Sequence, residues 1–234
     1  RSSSVPRAKR QPGGVRSAQT LGLRKPSPMF SLFRKKTANQ GLISHLGLTE
    51  WWMNDLDEPE RRRILERYQP LGGGSESLIE GEVLSTSQTA LHLLWGLATW
   101  FKSPDDYVIA TKIFNKGEEL VPSAAALDAH FFYQAQIEVF YRNRADVPAA
   151  MNLATRACEK QIALSRVAAA AFKKDQGPEL PSHKGFQQLA IILEKEAKFD
   201  EASQICLRAQ SEGWSGDWES RLVRLSKRAK QAKT

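Results

Sequence analysis

Residues 182–214, SHKGFQQLAIILEKEAKFDEASQICLRAQSEGW, limit the possible folds more than any other stretch of the chain. The first half sets Phe186, Leu189, Ala190 and Leu193 at three- and four-residue spacing, and the second half does the same with Ala202, Ile205, Cys206 and Ala209. Such spacing lays one apolar stripe along each of two helices, and each stripe has to be buried. Ala197-Lys198-Phe199-Asp200 supplies the break between them, with Asp200 placed to cap the second helix and Phe199 to fill the corner. Large residues on one helix facing small ones on the other let the two axes approach closely.

The same device recurs upstream. A helical pattern runs from about Thr86 to Lys102 through Leu91, Leu94, Trp95, Leu97, Ala98 and Phe101. Ser103-Pro104-Asp105-Asp106 then offers a cap, a first-turn proline and two acids for the positive end of the next helix. That helix carries Tyr107, Ala110, Ile113 and Phe114 and stops at Val121-Pro122. A less regular pair follows. Residues 124–143 hold Leu127, Phe131, Tyr133, Ile137, Phe140 and Tyr141, and Asp146-Val147-Pro148 opens a helix with Ala150, Ala154 and Ala157 that runs on to about Lys173. Gly177-Pro178-Glu179-Leu180-Pro181 reads as a link to the last unit.

This series resembles the tetratricopeptide repeat (TPR), a helix-turn-helix unit of about 34 residues. In the last unit Phe186, Leu189, Ala190, Leu193, Phe199, Ala202, Cys206 and Ala209 fall on the signature places, with Ala190 for the usual Gly and Trp214 for the closing Pro. In the first unit Leu94, Leu97, Ala98, Phe101, Tyr107, Ala110, Phe114, Gly117 and Pro122 do so. Equivalent alanines Ala110, Ala150 and Ala202 lie 40 and then 52 residues apart, so the array is irregular. The resemblance implies an all-α fold, an irregular TPR-like array of α-hairpins (an α-solenoid) over residues 86–214. It also implies a non-catalytic role in protein interaction, as an adaptor or assembly factor. In that family the concave face comes from the first helix of each pair. Carried over, it consists here of His92, Trp95 and Thr99, then Gln136, Val139 and Arg142, then Lys184, Gln188 and Ile191. Trp95 is the expected aromatic anchor, and Arg142 with Lys184 is placed to hold a carboxylate or a backbone carbonyl of an extended peptide. The Lys/Asn set with which some members grip a chain-terminal carboxylate is incomplete.

The flanks read differently. Residues 1–42 are expected to form a disordered basic leader, of which residues 1–28 are rich in Arg, Ser, Pro and Gly without helical or strand period. Met29-Phe-Ser-Leu-Phe-Arg-Lys-Lys has the look of a natural start, which would make residues 1–28 an upstream leader. Residues 43–70 read as a Trp-rich helical pair, with Thr49 capping the first helix and Asp57 with Glu60 forming a capping box on the second. In that second helix Ile64, Leu65 and Tyr68 face inward, while Arg61, Arg62, Arg63 and Arg67 form a solvated face. The glycine run at 72–74 has no Gly-Lys-Ser/Thr after it and reads as a connector. Residues 215–234 give a closing helix anchored by Trp214 and Trp218, with a basic tail fraying beyond Ser226.

Charge is divided between ends and middle. Residues 1–49 carry ten Lys or Arg and residues 221–234 six more, neither with an acid, so 18 basic and 26 acidic side chains give residues 50–220 a net −8. The overall +8 therefore does not mark a folded basic face. It leaves one alternative function: an accessory protein whose basic ends, with Arg34, Lys35, Lys36, Arg224, Lys227 and Arg228, hold nucleic acid. Cys158 and Cys206 sit at apolar helical positions, as buried free thiols of a reducing compartment such as the cytoplasm, with organelle import left open. No apolar run is long enough for a membrane span. His45, His92, His130 and His183 lack metal-ligand spacing, and no nucleophile or dinucleotide motif appears, so neither enzyme activity nor cofactor nor metal is expected. Acid pairs such as Asp105/Asp106 and Glu118/Glu119 read as helix ends and solvated faces.

Overall fold

Residues 41–70 and 74–232, the part of the chain that the computed structural model describes, form an all-α assembly. Residues 1–40 of the leader, with Arg34, Lys35 and Lys36, and most of the glycine connector lie outside the described residues, whereas Gly41 and Leu42, expected to belong to the leader, begin the first helix. Three short helices come first: α1 (Gly41–His45), α2 (Thr49–Asn54) and α3 (Glu58–Arg67). Trp51, Trp52, Ile64 and Tyr68 turn inward from them. The capping box on α3 is present, with Asp57 and Glu60 each accepting from the other's backbone N–H at 2.8 Å. Thr49 does not cap α2. Backbone bonds in the Gly47 turn, Leu48 N to Ile43 O at 2.9 Å among them, put Leu48 at the helix start.

The arginines of α3 do not share a solvated face. Successive helical residues point in different directions, so each finds its own partner. Arg62 pairs with Glu58 at 2.8 Å, and Arg61 donates to the carbonyl oxygens of Trp52 and Leu56 at the end of α2. Arg63 and Arg67 reach Asp106 at 3.0 and 3.3 Å. Asp106 is thus a buried partner rather than a free first-turn acid. Burial would raise its pKa, but the Ser103 hydroxyl and the two guanidiniums outweigh that and lower it.

The three helix pairs expected from the sequence are formed: α4 (Ala90–Ala98) on α5 (Tyr107–Leu120), α6 (Ala126–Arg142) on α7 (Ala150–Ala163), and α9 (Lys184–Lys195) on α10 (Phe199–Ser211). Ala110, Ala154 and Ala202 are each fully buried, as the large-on-small pattern requires. Gly117 on α5 shows how tight the fit is, since a β-carbon there would collide with the Phe132 ring of α6. Helix α4 is shorter than its pattern: the Thr89 hydroxyl accepts from His92 N at 3.0 Å and starts it at Ala90.

Between α7 and α9 the chain departs from the expected single helix. It breaks at Leu164 and continues as α8 (Ser165–Gln176). At the break Arg208 of α10 donates to Ile162 O at 3.1 Å, a carbonyl that a continuous helix would have bonded itself, and to the Ser165 hydroxyl at 3.3 Å. The expected link then forms a short strand, β1 (Leu180–Ser182), paired in parallel with β2 (Trp214–Ser215). This pairing ties the entrance of α9 to the exit of α10.

Asp200 does not cap α10. The turn is closed instead by α9: Lys198 N bonds Leu193 O at 2.9 Å and Ala197 N bonds Glu194 O at 3.3 Å, with Ala197 at φ 60° where such caps usually carry glycine. The closing helix α11 (Trp218–Gln231) packs on α10 and continues past Ser226 instead of fraying there. It is tied to α9 through Glu194, which receives Arg224 at 2.9 Å and Arg228 at 2.9 Å. Trp214 and Trp218 are buried as anchors, and Trp218 Nε1 donates to Trp214 O at 2.7 Å.

Two apolar clusters meet at α6. Phe114, Phe132 and Phe140 belong to the cluster around α4 and α5, whereas Ile137 joins Phe172, Phe186 and Trp214 in the other. Helix α6 therefore has neighbours on most of its surface: α4, α5, α7, α8 and α9. No helix of the described residues is long and apolar enough to cross a membrane.

Candidate binding cleft

An open cleft of about 270 Å³ lies where the last turns of α6 face the first turns of α9. Its walls are built by local rules. On α6, Ile137 and Phe140 point into the two cores, which leaves Glu138, Tyr141 and Arg142 toward the open side. Asn143 closes the helix, and its Nδ2 donates to Val139 O at 2.8 Å and to Lys102 O at 3.2 Å, fixing the chain that leaves α4 against this end. Lys102 then bonds Glu138 at 2.9 Å.

On the opposite wall His183 caps α9, its Nδ1 accepting from Phe186 N at 3.3 Å. The residues Lys184, Gln188, Ile191 and Lys195 follow at helical spacing along one side of α9. Lys184 and Gln188 line the cleft, and Lys195 donates to the Tyr141 hydroxyl at 3.0 Å, joining the two walls. Arg144 stacks over the Tyr141 ring at 4.1 Å. Burial would raise the Tyr141 phenol, but the hydrogen bond and charge of Lys195, with Arg144 and Gln188 beside it, lower its pKa.

Two features give the cleft chemical character. Arg142 and Lys184 project from different helices and have no carboxylate partner among the described residues. Gln188 is buried to 5% exposure, and its amide faces the Tyr141 oxygen without reaching full hydrogen-bonding geometry. A buried amide donor left unpaired is costly unless something external accepts from it.

Of the nine inner-face residues read from the sequence, Arg142, Lys184 and Gln188 meet in this cleft, and Ile191 is half-buried on the same side of α9. Val139 and Gln136 do not belong to an open surface. Val139 is fully buried, and Gln136 is buried with its amide on Glu118 at 3.0 Å. Both are enclosed because α6 is surrounded by other helices. Glu118 is likewise not a merely solvated acid, since it also accepts from Lys160 at 2.8 Å and from Tyr133 at 3.4 Å. Burial, and then the charge of Glu118, push the Tyr133 phenol up to about 12.

Trp95 is half-buried, its ring stacked on His92 at 4.7 Å and tilted against Phe131 at 5.5 Å, so it serves the wall between α4 and α6 and does not line the cleft. His92 Nδ1 sits 3.8 Å from Asp128, and the Thr99 hydroxyl donates to Gly96 O at 2.7 Å at the end of α4. Of the basic residues read on α11, Lys227 is exposed, whereas Arg224 and Arg228 hold Glu194 and lower its pKa to about 2, the Arg224 hydrogen bond contributing most. The sequence reading missed Lys102, Glu138, Tyr141 and Lys195. The only local signal was the spacing of Lys195 from Lys184 and Gln188 on α9.

Cys158 and Cys206 are buried free thiols, as expected from their positions, and burial pushes them up to about 12 and about 11. His130 and His183, distant in sequence, meet in the core with ring centroids 4.9 Å apart and Trp214 against both. Burial depresses His130 to about 4 and His183 to about 3, so both are neutral. Gln161 bridges α6 and α9 beside them, donating to His130 O at 2.9 Å and accepting from Gly185 N at 2.6 Å. Among the described residues no group of three or more His, Cys, Asp and Glu converges as a metal site would need. No protein-family model, no curated protein and no solved structure matches this chain.

Proposed function

We propose that this protein is a non-catalytic binding module, a TPR-like helical array that holds an extended segment of a partner protein along the α6/α9 cleft. The observation that carries the reading is the cleft itself. Two cations without carboxylate partners, Arg142 and Lys184, stand on separate helices over a buried amide donor, Gln188. Cations in excess of the one acid of the cleft, Glu138, which Lys102 already holds, suit a guest that brings oxygen atoms, such as backbone carbonyls and acidic side chains. The buried alanines and the three helix pairs support a stacked array, in which one helix of each pair faces the guest. The reading through basic ends has less support, because Arg224 and Arg228 are engaged with Glu194.

The test is affinity capture with the full chain and with an Arg142→Glu, Lys184→Glu double variant, both checked for equal helicity and melting temperature. Partners held by the native chain and lost by the variant are the expected result. Identical partners in both would end the proposal. Capture that instead weakens steeply with salt and disappears when residues 1–36 and 226–234 are removed would favour nucleic acid held by the ends.

A further inference from the structure

We infer that the α6/α9 cleft is a receptor for a phosphoryl group, carried by a phosphorylated side chain of the bound segment; this rests on the peptide-binding reading above. The argument is one of charge and donor count. The acid lining the cleft, Glu138, is held by Lys102 at 2.9 Å, which leaves Arg142 and Lys184 as two uncompensated cations. A carboxylate carries one charge, and a single guanidinium fork can satisfy both of its oxygens. It would leave Lys184 with nothing to bind. A phosphomonoester brings a charge of about −1.5 to −2 and three terminal oxygens. Those three oxygens match three donor groups: the Arg142 fork, the Lys184 ammonium and the Gln188 amide, which faces Tyr141 but falls short of full hydrogen-bonding geometry there.

Tyr141 strengthens the match. Its oxygen accepts from Lys195 at 3.0 Å, so its own proton stays free for the guest, and Arg144 lies 4.1 Å from its ring. The lowered pKa of this phenol records a positive field at the cleft wall. The open form of the cleft, between two helices and not enclosed by them, suits a group presented on a side chain from a passing peptide.

The experiment uses the full chain and three degenerate peptide libraries that differ only at a fixed central residue: phosphoserine, glutamate or serine. Binding is read by fluorescence anisotropy, with inorganic phosphate as competitor. The phosphoserine library should bind roughly tenfold or more tighter than the glutamate library, and Arg142→Gln and Lys184→Gln should each remove most of that preference. Gln188→Leu, which keeps the side-chain bulk, should reduce it by a smaller factor. Inorganic phosphate should displace the bound library. Equal binding of phosphoserine and glutamate libraries overturns the inference while leaving the peptide-binding reading intact. Failure of all three libraries overturns both. A uridine oligomer that binds more tightly than the phosphoserine library, and depends on the same two cations, overturns the inference in favour of a nucleic-acid backbone.

Discussion

Helices α6 and α9 face each other across the cleft, yet they meet different numbers of neighbours. On α9 the buried residues Phe186, Leu189, Ala190 and Leu193 turn toward α10 and the core, while Lys184, Ile191 and Lys195 stay at least partly open. On α6 the buried residues run from Ala129 and His130 through Gln136, Val139 and Phe140, a stripe from Leu127 through Phe131, Gln134 and Glu138 is only partly open, and Arg142 in the last turn is its one exposed residue. Helix α9, although packed on α10, α7 and α6, keeps one partly open stripe, Lys184, Gln187, Ile191 and Lys195. A helix enclosed by five neighbours gives up polar side chains to internal contacts, as it does Gln136 to Glu118.

The largest test of that contrast compares Val139→Asp with Ile191→Asp. A charge forced into the fully buried Val139 position should cost about 4 kcal/mol in denaturant unfolding, because it would sit within an apolar cluster. The half-buried Ile191 position should cost about 1 kcal/mol or less. Equal losses would mean that α6 is no more enclosed than α9.

Acid probes the junction of the two helices. His130 on α6 and His183 at the start of α9 resist protonation down to about 4 and about 3, whereas an unfolded chain accepts these protons near 6.5. The unfolded state then binds more protons than the native one, so stability falls as pH drops below about 6.5. His130 alone should account for a loss on the order of 3 kcal/mol by pH 4. A His130→Gln variant that keeps the full acid sensitivity of the native chain would show that the pair is not responsible. Glu194 acts in a lower window: its depressed pKa stabilises the fold above about 4.5 and that contribution fades as pH falls toward 2.

A smaller effect separates the outer end of α9 from its cleft end. Glu194→Gln should loosen α11 and cost about 1.5 kcal/mol, since Arg224 and Arg228 lose a charged acceptor but are themselves near half exposed. Binding at Lys184 and Gln188 should be unaffected. Loss of peptide binding in this variant would show that the two ends of α9 act together. The smallest expected effect is a gain: Ala197→Gly, at φ 60° in the turn after α9, should add up to about 1 kcal/mol by relieving a left-handed alanine.

Much of the helical framework was legible because its causes are local. The capping box at Asp57 and Glu60 and the apolar stripes that carry the buried alanines of α5, α7 and α10 depend on neighbours within one or two turns, whereas Pro104 leads a separate 3-10 turn and α5 itself starts at Tyr107. Features set by distant residues were not legible. The arginines of α3 look like a solvated run until Asp106 is brought beneath two of them. The helix expected through Lys173 is broken at Leu164 where Arg208 crosses it. The link at Leu180-Pro181 becomes a strand because Trp214 and Ser215 lie alongside. Arg142, Lys184 and Gln188 were readable as a set of donors, but not the company of Lys102, Tyr141 and Lys195.

The sequence by itself determined where helices form and which residues on each are large or small enough to be buried. An apolar period records that a helix has a side to hide, and that information is contained within each segment. Only the tertiary structure decided how many sides are hidden, and hence that Val139 and Gln136 are enclosed while Arg142 stays open. It alone brought His130 to His183 and set Arg142 opposite Lys184, because those encounters depend on how separate helices stack and not on spacing along any one of them.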